Sequence, residues 1–126
     1  MPSIDGRRYS RVEGTGACAV TAERLLVLTT CEQGEKAWEL AEALVATRCA
    51  ACVNLIDGVS SVYRWKGAIE KGSEVLLLIK TTADRYAAVE KAIRDRSDYE
   101  LPEIIAVGIE RGLPAYLDWI AAAVAP

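Results

Sequence analysis

A chain of 126 residues, 52% apolar and 26% charged, has the composition of one ordinary globular domain and not of a disordered segment. Its formal charge of −3 argues against a nucleic-acid partner, which needs clustered Lys and Arg. No uncharged apolar run approaches the ~20 residues that would span a bilayer, so no membrane partner is expected. The chain has no histidine, which removes Ser-His-Asp and Cys-His nucleophiles and every His-based zinc site. Residues 1–22 read as an N-terminal extension, with Arg7, Arg8 and Arg11 among glycines and no sustained apolar period. The folded domain is expected over 23–126. The first twenty residues hold no apolar signal-peptide core, so Cys18, Cys31, Cys49 and Cys52 are read as reduced thiols of a cytoplasmic protein.

From Leu25 the pattern sharpens. Leu25-Leu26-Val27-Leu28-Thr29-Thr30 predicts a strand buried on both faces. Ala37, Leu40, Ala41, Leu44 and Val45 then recur at helical spacing and predict a helix over 33–49. Strand character returns at 51–56, with Asp57-Gly58 as a turn or bulge, and continues over 59–69. Two breakers follow, Lys66-Gly67 and Lys71-Gly72, and the hairpin turn is expected at the second because Ala68-Ile69 still reads as strand. Val75 to Ile79 is the strongest strand. Thr82-Ala83-Asp84 precedes a helix ending near Arg96, carried by Tyr86, Val89 and Ile93. Leu101-Pro102 blocks helical continuation before a strand over 104–109, and Pro114 opens a final helix.

The order β-α-β-β-α-β-α is the split βαβ, or ferredoxin-like, α+β arrangement with one helix appended. Such a domain, alone, leaves one sheet face to water, and its strands should alternate apolar and polar. Val75 to Ile79 does not alternate. The hairpin is also long: about ten to twelve residues per arm reach roughly 33–40 Å. Both features predict an obligate homo-oligomer whose copies cover the second face and the unpaired edges.

Five segments, in order and spacing, carry a resemblance. They are Ala50-Ala51-Cys52-Val53-Asn54, Ser61-Val62-Tyr63-Arg64-Trp65-Lys66-Gly67, Leu78-Ile79-Lys80-Thr81-Thr82, Tyr99-Glu100-Leu101-Pro102-Glu103-Ile104 and Tyr116-Leu117-Asp118-Trp119. Over about residues 24–120 the chain resembles the CutA family of divalent-cation tolerance proteins. The resemblance implies a ferredoxin-like protomer, an intertwined homotrimer, a cytoplasmic setting and a link to divalent metals, copper especially. It also implies an architectural likeness to PII signalling trimers. It supplies no settled reaction. The family usually carries His-Pro before Tyr-Glu; here Ser97-Asp98 stands there, so a histidine that could ligate metal in relatives is missing.

Each candidate residue has a functional and a packing reading. Cys49-x-x-Cys52 could hold a soft ion such as Cu(I), but two thiols alone make an incomplete cage, and buried cysteine is commonly a core residue. Core packing is the reading taken for Cys52. Lys80, Tyr99, Glu100 and Glu103 could line a polar cleft between subunits, with the strands bearing Lys80 and Glu103 central or near-central in the sheet. The lysine would there hold a small anion and the carboxylates a cation; an intersubunit Lys–Glu ion pair is the alternative. Trp65 and Trp119 could stack on a planar ligand or anchor packing. No residue is assigned a catalytic role, and the protein is read as a non-enzyme. The leading expectation is a CutA-like homotrimer serving divalent-metal tolerance with weak copper binding; the other is a PII-like trimer binding a small anionic metabolite.

Overall fold

The computed structural model describes residues 23–126; the extension expected over 1–22 lies outside the described residues. Strand β1 (Arg24–Cys31) is followed by helix α1 (Gly34–Ala46), then β2 (Cys52–Trp65) and β3 (Ala68–Thr82). A 3-10 turn over Ala83–Arg85 leads into α2 (Tyr86–Arg96), β4 (Ile104–Gly108) and α3 (Pro114–Ala123). The four strands form one antiparallel sheet in the order β2-β3-β1-β4. The ferredoxin-like α+β expectation holds, with β4 as an edge strand. Glu103, expected on a central or near-central strand, therefore stands beside an edge.

Two local expectations are corrected. The helix predicted to run to 49 stops at Ala46: Thr47 and Arg48 donate N–H bonds back to Ala43 and Val45, and Arg48 takes φ +60°. A residue in the left-handed region cannot continue a right-handed helix. The hairpin turns at Lys66-Gly67, not at Lys71-Gly72. Both turn residues have positive φ, +50° and +84°, as a two-residue turn matching the strand twist requires. Gly67 supplies one of them without strain. Lys71 and Gly72 instead pair in register with Val62 and Ser61. The arm is thus longer than predicted, and the bulge falls at Asp57-Gly58 as expected. There Ile56 faces Leu76 while Val59 already faces Glu74, with Gly58 at φ +69°.

Alternation explains the uninterrupted apolar run. Val75, Leu77 and Ile79 point to one face and are buried with Val27, Leu40, Leu44, Val89 and Ile93 under α1 and α2. Leu76 and Leu78 point to the other. That second face also carries Leu26, Leu28, Ile56, Ile105 and Val107 by strand register. None of these seven belongs to a buried cluster, and Ile56, Ile105 and Val107 are 43%, 53% and 51% exposed. Helix α3 closes only one end of this face, where Leu117, Ile120 and Val124 pack with Ala51. Arg24 ties that helix to β1, donating to the Leu117 carbonyl at 3.0 Å and lying 3.6 Å from Asp118.

One core residue is at odds with its surroundings. Thr29 is fully buried, and its hydroxyl has no hydrogen-bond partner among the described residues. Thr29→Val keeps the β-branched shape and removes the stranded polar atom, so a stability gain of about 1 kcal/mol is expected in urea unfolding. A loss on substitution would show that the hydroxyl is satisfied in solution.

Candidate functional site

The sequence-predicted polar cleft does not assemble within one chain; its members divide into three groups. Lys80, near the end of β3, lies opposite Cys52 of β2. Its ammonium donates to the Asn54 side-chain oxygen and stands 3.9 Å from the Cys52 sulfur. Tyr116 of α3 borders the same spot. Burial, followed by the Cys52 sulfur, raises the pKa of its phenol. Trp119 packs on Tyr116, ring centroids 5.4 Å apart, and belongs to the α3 cluster. This gives Trp119 a packing role.

Tyr99 forms the second group. Its hydroxyl donates to Glu74 at 2.7 Å, and Ser61 donates to the other carboxylate oxygen at 2.6 Å. Burial opposes ionisation of Glu74, but hydrogen bonds from Ser61, Tyr99 and Thr30 outweigh it and hold its pKa below the ordinary value. Tyr99 moves the other way: burial and then Glu74 raise its phenol well above the usual range. The network joins β1, β2, β3 and the loop before β4 at the base of the hairpin arm. Neither Glu74 nor Ser61 was singled out in the sequence. The signal available was a lone carboxylate between Gly72-Ser73 and the apolar run.

The folded pKa of Glu74 lies below its unfolded value. Its stabilising contribution is therefore present above the unfolded pKa and is lost as pH falls through the folded one. Glu74→Gln is expected to lose about 1–2 kcal/mol at neutral pH. The difference from the native chain should shrink below about pH 4. Parallel urea titrations across pH check this; a constant difference would show that the charge is immaterial.

Glu100 belongs to the third group, at the hairpin turn, where it meets Lys66 at 3.3 Å with both side chains exposed. Lys66 also stands 5.6 Å from the ring centroid of Trp65. Glu103 is exposed and joins none of the three groups.

The Cys-x-x-Cys pair is split between the two sides of the sheet. Cys49 is buried in the core under α1; its sulfur accepts from Thr47 at 3.3 Å and Arg85 at 3.8 Å. Cys52, expected as the core residue, is only half-buried and lies on the second face beside Lys80. Cys49 lies in the turn after α1, its N–H bonded back to Leu44, whereas Cys52 opens β2 and takes its face by pairing with Lys80. Among the described residues no three His, Cys, Asp or Glu side chains converge on one point. A small cavity of about 30 Å³ lies near Cys31, Lys36, Arg96, Asp98 and Tyr99, room for roughly one water. Lys36 and Asp98, both part of its lining, form an ion pair at 2.5 Å. Burial, then the Asp98 and Glu74 charges, pushes the Cys31 thiol up, so it stays protonated at neutral pH.

Comparison with known proteins decides the family. The CutA1 divalent ion tolerance protein family matches residues 25–123. The chain belongs to the CutA1 family. Protein CutA of Mus musculus is 46% identical over 91 residues, covering 72% of this chain and 51% of the mouse protein. This chain thus spans about half the length of that relative. The divalent-cation tolerance protein CutA of Thermus thermophilus is 41% identical over 95 residues, covering 75% of this chain and 92% of the relative. Among solved structures, CutA from Xylella fastidiosa superposes with a TM-score of 0.79 at 40% identity. It covers 82% of this chain and 99% of its own. The CutA1 protomer fold is thereby shared with this chain.

Proposed function

We propose that this CutA1 protein works as a cytoplasmic homotrimer in tolerance of divalent cations, copper among them, and that it binds ions or partners without catalysing a reaction. The observation that supports assembly is the second sheet face, with seven large apolar side chains outside any buried cluster. Monomeric proteins rarely expose a contiguous apolar patch of that kind. The link to divalent cations rests on the family. In the described residues no helix is long and apolar enough to cross a membrane.

The donor set bears on the ion. Without histidine, Cu(II) would have only carboxylates and carbonyls, a poor match. Cu(I) suits the half-buried thiol of Cys52, with a further ligand supplied by another copy or by the ion's carrier. Weak Cu(II) binding is expected. A second reading draws on Lys80, whose ammonium meets the Asn54 oxygen and the Cys52 sulfur and bonds no carboxylate among the described residues: a small anionic metabolite would seat there, as in a PII-like sensor.

Native mass spectrometry with and without Cu(I), Cu(II) and Zn(II) tests the proposal, reporting subunit count and metal stoichiometry together. Three copies and weak Cu(II) retention are expected. A folded monomer at micromolar concentration would overturn the assembly. Tight Cu(II) retained by a chain lacking both Cys49 and Cys52 would overturn the ligand argument.

A further inference from the structure

Lys80 puts a positive charge at the end of the apolar stretch of the second face, beside Leu26 and two positions from Leu78. Its partners are the Asn54 amide oxygen and the Cys52 sulfur, with no carboxylate bonded to it among the described residues, and covering an ammonium without a counter-charge is costly. Other carboxylates are already engaged: Asp118 with Arg24, Glu74 with Ser61 and Tyr99 further along the arm, and Glu100 with Lys66 at the hairpin turn.

Glu103 is the complementary case. It is exposed and has no cation beside it among the described residues. It precedes Ile104 in β4, so alternation sets it on the face of Ile105 and Val107, which is also the face of Lys80. Within one chain the two charges stand at opposite corners. Lys80 pairs across Leu26 with Val107, whereas Glu103 lies four positions further along β4, about 13 Å away along the strand. Lys80 also leans outward onto β2, the edge opposite β4. Opposite charges set apart across one sheet face, one on inner strand β3 and one beside edge strand β4, suit a head-to-tail, ring-closing contact.

We infer that Lys80 is neutralised by Glu103 of an adjoining copy, so that each subunit completes its neighbour's apolar face and the pair fixes the direction of the ring. This rests on the homo-oligomer reading above. Glu70 shares the face by register but sits near the hairpin turn, opposite Tyr63, and serves as a control.

Lys80→Glu and Glu103→Lys chains are prepared separately, checked for folding by circular dichroism, then mixed and read by native mass spectrometry. Each alone should dissociate more readily than the native protein. Mixed, they should form hetero-oligomers about tenfold above the binomial proportion, and the double variant in one chain should regain native association. Lys80→Gln should weaken association without any preference for the Glu103→Lys chain, and Glu70→Lys mixed with Lys80→Glu should be binomial. Binomial mixing of Lys80→Glu with Glu103→Lys, with oligomers intact, overturns the pair and leaves the homo-oligomer standing. Binomial mixing with loss of inorganic phosphate binding in Lys80→Gln assigns the ammonium to a small anion instead. A native chain that is itself monomeric overturns both.

Discussion

Leu78→Glu is expected to turn the proposed homo-oligomer into folded monomers at micromolar concentration. Leu78 sits on the second sheet face, between Asn54 of β2 and Leu28 of β1, and is half-buried in the single chain. A carboxylate there remains reachable by water in the monomer, so the protomer fold should survive. When another copy covers the face, that carboxylate loses its hydration with Leu28 and Leu76 as neighbours, a cost of several kcal/mol per site. A closed trimer repeats the cost at each interface. Sedimentation velocity beside far-ultraviolet circular dichroism reads the two effects apart. An unchanged trimer would sink the assignment of this face to self-association.

Leu77→Ala should act one residue earlier and through the other side of the sheet. Leu77 is fully buried with Val27, Leu44 and Ile79. Removing three carbons from a packed core costs about 2–5 kcal/mol, against about 5–15 kcal/mol for a whole domain. Urea unfolding should show the loss at every protein concentration. For Leu78→Ala the loss should instead vary with concentration, because it enters through association. Equal, concentration-independent losses for the two variants would mean that the two faces are not distinct in solution.

The contrast between these neighbours was legible in the sequence, since five apolar residues in a row cannot all face one core. Element order and the Asp57-Gly58 bulge were legible for the same reason: both are local. The hairpin turn was not, because Ala68-Ile69 is equally apolar on either assignment and only the backbone of Lys66-Gly67 discriminates. The partners of Tyr99 and Lys80 were also hidden. Glu74 lies 25 positions from Tyr99, and Asn54 lies 26 from Lys80. Such contacts depend on strand register, which no periodicity encodes. Cys52 stands on the second face and not in the core beneath α1 because the chain crosses to the other side of the sheet between Cys49 and Cys52.

The strand order has a consequence for how the protein is made. β1, the first strand among the described residues, pairs on one side with β3 at Arg24–Thr82 and on the other with β4 at Leu25–Gly108. Neither flank exists until most of the chain has been synthesised. Only the β2–β3 hairpin and the helices can form from nearby segments, so long-range pairing limits the folding rate. A nascent chain therefore carries Leu25 to Leu28 as an unpaired apolar strand while residues 29–82 are added, a period of several seconds at typical elongation rates. That interval is when this protein most needs a chaperone.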